Sequence, residues 1–319
     1  MNNIEVSICI PVFGVENYIT ACLKSVLQQT LIDKIEIILV DDCTPDKSID
    51  IATKLLQSHH NVHSQLIKHE KNKGLAAARN TGLAAAHGKY VIFLDSDDWV
   101  EPDYIELLYK TAENGNYDIT GCDYISEYEN HREIVKENLV EDSTICLKRI
   151  LRNCQGIIWT KLICKDLFSK NNIRWDEGLD MGEDLLICTK LFSKAEKIGY
   201  VNKALHHYRR FNPNSFCNDI SRMEKKNKQL MAVAERITEI LSPYQKYDNE
   251  LLEMKLKLKQ ILILTNKIRK VRRSMYKIYP EAYEVRNNSE ISLLWKLLFG
   301  LLEKKLYCIV DLLLKLKHV

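Results

Sequence analysis

The sequence predicts an α/β protein: a mostly parallel sheet flanked by helices, with a helical region at the C-terminal end. Three observations carry this reading. Short apolar runs rich in β-branched residues alternate with helix-periodic segments over the first hundred residues, the pattern of βαβ units with right-handed crossovers. Two of those runs end in aspartates, Asp41-Asp42 and Asp95-Ser96-Asp97-Asp98. Beyond about Ile220 the strand signals give way to charged, amphipathic helical periodicity.

Residues 6–13 read as the first strand, and 16–29 as a helix with Tyr18, Cys22, Val26 and Gln29 on one face. The run 35–42 is rich in β-branched residues, with Glu36 inside it and two aspartates at its end, and reads as a buried parallel strand. A helix over about 47–58 follows, then a weaker strand at 63–68, an alanine-rich helix at 74–86 and a fourth strand at 90–97. In such a sheet the strand carboxyl ends open on one edge, where α/β proteins bind ligands, so Phe13, Asp41, Asp42, Asp95 and Asp97 are expected to converge. Residues 101–199 are mixed, with helices near 102–112, 147–152 and 185–195, and 198–205 reads as a strand. Residues 225–241 and 250–276 are helical, while 291–319 breaks leucine clusters with Lys304, Lys305, Lys315 and Lys317. The composition shift divides the chain into 1–220 and 221–319.

The formal charge of +3 gives no argument for a nucleic-acid partner. The ten cysteines are scattered without a CxxC pair, which suits free thiols in a reducing compartment better than a disulfide framework or a zinc site. The start of the sequence lacks the features of a signal peptide and no apolar run reaches the length of a membrane span, so a cytoplasmic location is expected. Carboxylates repel one another, and a cluster of them at strand ends calls for a cation. The sequence therefore points to a metal-dependent site for a phosphorylated ligand.

Ser7-Ile8-Cys9-Ile10-Pro11-Val12-Phe13, Val40-Asp41-Asp42, the segment 72–82 around Gly74 and Arg79, Phe93-Leu94-Asp95-Ser96-Asp97-Asp98, Gly182-Glu183-Asp184 and His207-Tyr208-Arg209 occur in that order. This series resembles the family 2 glycosyltransferases of the GT-A fold, particularly the bacterial capsule and lipopolysaccharide enzymes, over residues 5–216. The resemblance implies an inverting transferase that moves a sugar from a nucleotide-diphospho-sugar, with UDP the expected nucleotide, to a glycan or lipid-linked acceptor. Residues 1–220 would form its catalytic domain, the donor half at about 1–100 and the acceptor half at about 101–220.

The resemblance also implies residue roles. Pro11, Val12, Phe13, Asp41, Gly74, Arg79, Ser96 and Arg209 would line the donor, with Arg79 near the phosphates at a helix N-terminus. Asp42 would accept from the uracil ring, a task that suits an acceptor-only carboxylate. Asp95 and Asp97, with His207 as a third ligand, would bind Mn²⁺ or Mg²⁺. Asp184 would be the general base, supported by Glu183, and Trp159 and Lys161 would face the acceptor. Each residue also has a plainer reading: Asp41 or Asp42 as a helix cap, Asp97 or Asp98 as a turn residue, Glu183 and Asp184 as first-turn acids, Trp159 as core. The sequence departs from the family pattern at Gly14 and at Cys43-Thr44-Pro45, which puts side-chain contacts from that loop to the nucleotide in question.

Residues 291–319 have the composition of an interfacial helix with snorkelling lysines, and also of a helix packed on its own domain or a second subunit in a homodimer. Two other functions fit parts of the chain. A phospho-receiver domain shares the acidic pair but places it after its first strand, and an inert nucleotide- or glycan-binding subunit would share the fold.

Overall fold

The computed structural model describes residues 4–59, 62–212, 223–266 and 268–316. The chain forms two compact units, one of Met1–Cys146 and Ile157–Asp219, the other of Leu147–Gly156 and Ile220–Val319.

The first unit opens with β1 (Val6–Val12), α1 (Ile19–Leu27), β2 (Ile35–Asp41), α2 (Ser48–Gln57), β3 (His63–Lys68), α3 (Leu75–Ala85) and β4 (Tyr90–Phe93). Every residue of β1, β2 and β4 is buried, and the polar Ser7 and Glu36 within these largely apolar runs pair with each other, Ser7 Oγ donating to Glu36 Oε1 at 2.6 Å. β1 pairs in parallel with β2 and with β4, and β2 with β3, so Val12 and Asp41 are in register at the carboxyl edge. On one face of this sheet α1, α2 and α4 (Tyr104–Gly115) build a core around Ile8, Ile10, Leu23, Val26, Ile37 and Ile105. α3 lies closer still: a Cβ on Gly82 would stand 3.0 Å from that of Cys9, a contact tight enough that Cys9 would have to give way to a larger residue.

After β4 the sheet turns mixed. β5 (Trp99–Val100), β6 (Ile119–Glu127), β7 (Arg132–Val135), β8 (Lys161–Cys164) and β9 (Ile198–Arg209) complete a nine-stranded sheet of order β3-β2-β1-β4-β8-β6-β9-β5, with β7 on β6. Here β4·β8, β6·β8, β6·β7 and β5·β9 are antiparallel and only β6·β9 is parallel. The mostly parallel sheet expected from the sequence thus describes the first half alone. The second half lacks the regular helical crossovers that parallel neighbours need.

α5 (Ser143–Asn153) crosses from one unit to the other, and α6 (Lys165–Lys170) and α7 (Glu183–Phe192) complete the first. The second unit contains α8 (Met223–Leu241), α9 (Asp248–Thr265), α10 (Arg269–Met275), α11 (Leu293–Glu303) and α12 (Tyr307–Leu316). Two details differ from the sequence reading. The segment 147–156 belongs to this unit rather than to the acceptor half: Glu250, 2% exposed at its side chain, takes Arg152 at 2.7 Å and Lys148 at 3.4 Å. A buried carboxylate without such partners would be strongly destabilising. The helix expected over 250–276 is two helices, because the backbone turns extended at Asn266, whose side chain caps Leu262 O and accepts from Asn227. Among the described residues all nine cysteines are free, and no helix is long and apolar enough to cross a membrane.

Candidate active site

The carboxyl edge of β1 and β2 is a closed network of hydrogen bonds. Asp41 Oδ1 accepts from Thr44 N at 2.9 Å, and Thr44 Oγ1 accepts from Gly14 N at 2.8 Å and donates to Asp46 Oδ1 at 2.8 Å. Cys43 sits in the left-handed region at φ 59° to allow this turn. The loop that departs from the family pattern is therefore held shut by its own side chains. Pro11 and Val12 are buried in β1, whereas Phe13 is 51% exposed just past its end, an apolar ring beside a polar site.

Asp42 has a different place from the one expected. It is 3% exposed, its Oδ1 accepts from Lys73 N at 2.8 Å and meets His69 Nδ1 at 2.7 Å, and its Oδ2 accepts from Gly74 N at 2.9 Å. Both oxygens thus have protein partners, two on Oδ1 and one on Oδ2. Asp42 fixes the 72–74 loop, and His69 completes the link by reaching Thr81 Oγ1 with Nε2 at 2.9 Å. His69 was not foreseen; a polar residue ending a β-strand one loop away gives no spacing signal.

Gly74 precedes α3 at φ 91°, and a Cβ there would stand 2.6 Å from Asp180 Oδ1. Ala76 N donates to the same oxygen at 3.4 Å. The helix N-terminus that the sequence reserves for phosphate thus carries a carboxylate of the chain itself. One turn on, Arg79 is 1% exposed and points at carboxylates rather than at open space. Its Nη2 donates to Asp95 Oδ1 at 3.0 Å, and its Nη1 donates to Asp184 Oδ1 at 2.6 Å and to Glu183 Oε1 at 3.3 Å. Burial disfavours the cation, but Asp184, Asp95 and Glu183 more than offset it and hold Arg79 firmly charged. Asp180 lies three residues before Glu183, so α3 binds this segment at two points.

Gly182, at φ 80°, starts α7, and Glu183 and Asp184 form its first turn. Burial raises the proton affinity of both; Asp184 adds to the rise at Glu183, and Arg79 opposes it at each. Asp184 keeps a side chain 19% exposed, and it is the one of this pair bonded to Arg79 at 2.6 Å.

The β4 end is crowded. Asp97 is pushed up to about 7 by burial and by the neighbouring Asp98 and Asp95, although its Oδ2 accepts from Asn212 at 2.8 Å. Asp98 is also raised by burial and meets His206 Nε2 at 3.0 Å, while burial drives His206 down to about 3, so this pair is most stable with the imidazole neutral. Ser96, between Asp95 and Asp97 in sequence, is buried at 6% exposed. Arg209 faces the cluster: its backbone N donates to Asp98 Oδ1 and its Nε to Asp97 O, each at 2.8 Å. Its guanidinium is caged by Trp99, Phe211 and Tyr18 at 4.6, 4.8 and 4.9 Å from the ring centroids, a cation–π setting that fixes the fork.

Five carboxyl groups (Asp95, Asp97, Asp98, Glu183, Asp184) are therefore gathered around two guanidinium groups, a deficit of positive charge that a divalent ion would fill. The donors are hard oxygens, which suit Mg²⁺ or Mn²⁺. Among the described residues no three His, Cys, Asp or Glu side chains already form a cage for a metal.

Three residues expected at the site have partners within the protein. His207 meets Glu127 Oε1 with Nδ1 at 2.8 Å and Glu101 Oε1 with Nε2 at 3.0 Å, and its ring stacks on Trp99, so neither nitrogen is left for a metal. Lys161 is 1% exposed and bonds both oxygens of Glu137, at 2.9 and 2.7 Å, which makes it a buried ion pair rather than an acceptor contact. Trp159, 7% exposed, packs between Tyr124, His206 and Tyr208 with centroids at 4.8, 4.3 and 5.1 Å. The core reading of that indole is the one the structure supports.

Comparison with known proteins agrees with this architecture. Residues 7–171 match the family described as Glycosyl transferase family 2. The uncharacterized glycosyltransferase EpsJ of Bacillus subtilis is 34% identical over 218 residues, covering 66% of this chain and 62% of that protein. Glycosyltransferase GlyA of Streptococcus pneumoniae is 35% identical over 218 residues, covering 64% of this chain and 30% of that protein. Among solved structures, S. aureus TarS 1–349 in complex with UDP-GlcNAc superposes with a TM-score of 0.62 at 18% identity, covering 94% of this chain and 91% of that one. The mannosyltransferase PcManGT from Pyrobaculum calidifontis, in complex with GDP-Man and Mn²⁺, gives a TM-score of 0.54 at 13% identity, covering 98% and 87%. The chain belongs to glycosyltransferase family 2 and has the GT-A fold with added C-terminal helices. It spans less than two thirds of the length of EpsJ and of GlyA. Family membership leaves no place for the phospho-receiver reading.

Proposed function

We propose that this protein is an inverting glycosyltransferase that moves a sugar from a nucleotide-diphospho-sugar, most simply a UDP-sugar, to a hydroxyl of a glycan or lipid-linked acceptor. The observation that carries the proposal is the Arg79 guanidinium, which holds Asp95 of the donor half and Asp184 of the acceptor half on its two Nη atoms. Support for the donor class comes from the likeness to folds solved with UDP-GlcNAc and GDP-Man.

In this reading Asp184 takes the proton of the acceptor hydroxyl as that oxygen attacks the anomeric carbon from the face opposite the diphosphate. The carbon–oxygen bond to the diphosphate breaks, and the nucleoside diphosphate leaves. Burial makes Asp184 a stronger base than an exposed carboxylate, while Arg79 keeps it ionised and oriented. Glu183 shares the same guanidinium and supports that orientation. Asp97 and Asp95 would hold Mn²⁺ or Mg²⁺, which would supply Lewis-acid stabilisation of the departing diphosphate. Arg209, fixed in its aromatic cage, offers the fork of its guanidinium to a phosphate. Phe13 offers its face to the base, and Asp41, with Pro11, Val12, Gly74 and Ser96, frames the pocket. A catalytic domain over 1–220, without the segment 147–156, and a helical region over 221–319 that touches the inner face of the cell membrane complete the proposal.

Asp184→Asn tests it. Turnover should fall by about three orders of magnitude, the scale of losing a positioned general base. The Kd for the nucleotide-sugar with Mn²⁺ should stay within about twofold, since the base acts on the acceptor. Wild-type turnover in Asp184→Asn would sink the assignment.

A further inference from the structure

The second unit holds a feature that sugar transfer does not use. α11 and α12 bury Trp295, Leu298, Phe299, Leu302, Val310 and Leu314 in their own core. Their outer faces are nevertheless apolar: Leu293 is 84% exposed, Leu297 56%, Ile309 45%, Leu312 57% and Leu316 72%. Ile309, Leu312 and Leu316 are spaced three and four apart and share one face of α12. A helix that is apolar on opposite sides needs a cover on both.

Charge is concentrated beside that stripe. Asp311, on α12, is 5% exposed at its side chain and accepts from Arg269 Nε, Arg273 Nε and Tyr276 Oη, each at 2.8 Å, with Arg272 Nη2 at 3.6 Å. One carboxylate balances one guanidinium, so the α10 cluster keeps surplus positive charge. Arg269 and Arg273 are 57% and 36% exposed, and the buried Nε of Arg272 has no hydrogen-bond partner. Ile268, next to Arg269, is 68% exposed. Residues 268–316 carry ten Lys and Arg against five Asp and Glu, whereas the whole chain is only +3, so everything outside this stretch is net negative.

We propose that α10 and the outer face of α12 form one docking face for an anionic lipid bilayer. The α10 arginines take a headgroup phosphate, and Ile309, Leu312 and Leu316 enter the acyl boundary. This deepens the membrane contact proposed above, to which it adds α10, and it stands apart from the transfer chemistry. A basic cluster flanking an exposed apolar stripe, with Lys315 placed to snorkel, is the arrangement of interfacial helices. A symmetric dimer through the same face would bring two sets of unbalanced guanidinium groups together, and like charges repel.

Flotation of the full chain with vesicles tests this. The wild type should float with vesicles of phosphatidylglycerol in phosphatidylcholine and stay behind with phosphatidylcholine alone. Arg269→Gln/Arg273→Gln should lower partitioning about tenfold or more, since each basic residue at an anionic surface contributes about a factor of five. Leu312→Gln/Leu316→Gln, which alters only exposed side chains, should lower it by a similar factor. Both variants should keep the wild-type thermal shift with UDP and Mn²⁺, so failure here is separable from failure of the transferase reading. Equal flotation with both vesicle types, or of the leucine variant and wild type, overturns the proposal. So does loss of flotation to glycerol phosphate alone, which would leave a free-phosphate site. A dimer by light scattering that Leu312→Gln/Leu316→Gln splits would give the face to a second copy and also overturn it.

Discussion

Asp42 and Asp97 each follow a buried parallel strand, Asp42 directly after β2 and Asp97 four residues after β4, and in the sequence they look like one motif used twice. Their surroundings differ in what faces the carboxylate. Asp42 receives the backbone N–H groups of Lys73 and Gly74 together with His69, and is satisfied within the fold. Asp97 accepts from the Asn212 amide and its own backbone N–H, and is pressed by burial and by Asp98 and Asp95. The lesson is that an acid at a strand end marks function when its neighbours are other acids, and architecture when its neighbours are donors.

Four experiments bear on this contrast, and the largest effect is expected in activity. Asp97→Asn should reduce metal-dependent turnover by on the order of 10²–10³, the size of a lost electrostatic stabiliser. Turnover near wild type would place the ion elsewhere. The second is a pH series of urea unfolding in chelator. The folded-state value of about 7 exceeds the unfolded value of about 3.9, so the folded protein holds a proton on Asp97 that the unfolded chain releases. Stability should therefore fall as pH rises from about 4 to about 7, by up to about 4 kcal/mol relative to Asp97→Asn. Parallel curves for the two proteins would deny the crowding. Third, Asp42→Ala should cost about 3 kcal/mol of stability at neutral pH, because it strands buried donors. The smallest effect is at Asp41→Ala, about 1 kcal/mol, the worth of one turn-capping bond to Thr44 N. A larger loss at Asp41 than at Asp42 would reverse the comparison on the structural side.

Much of the first unit was legible in the sequence because its signals are local. Apolar runs gave β1, β2 and β4, periodicity gave α1 to α4, and the motif order brought Asp95 and Asp184 into one site. What was not legible depends on long-range partners. The direction of Arg79 is set by carboxylates 16 and 105 positions away, so its place in a phosphate-side motif said nothing about where its fork would point. Lys161 and His207 read as site residues because the family resemblance assigns roles at their positions. Glu137, Glu101 and Glu127, which take them instead, stand in unremarked loops and strand ends. Asp180 had a faint signal, an acid just ahead of Gly182-Glu183-Asp184, but nothing local ties it to Gly74. The mixed half of the sheet was missed for the same reason: β6 pairs with β7, β8 and β9 at separations that no periodicity records.

The Arg79 fork has one more consequence. A guanidinium is flat and stiff, and its two terminal nitrogens stand a fixed width apart. With Asp95 on one and Asp184 on the other, the gap between the donor-side and acceptor-side carboxylates is measured by a single planar gauge. Lysine would preserve the charge there and lose the gauge.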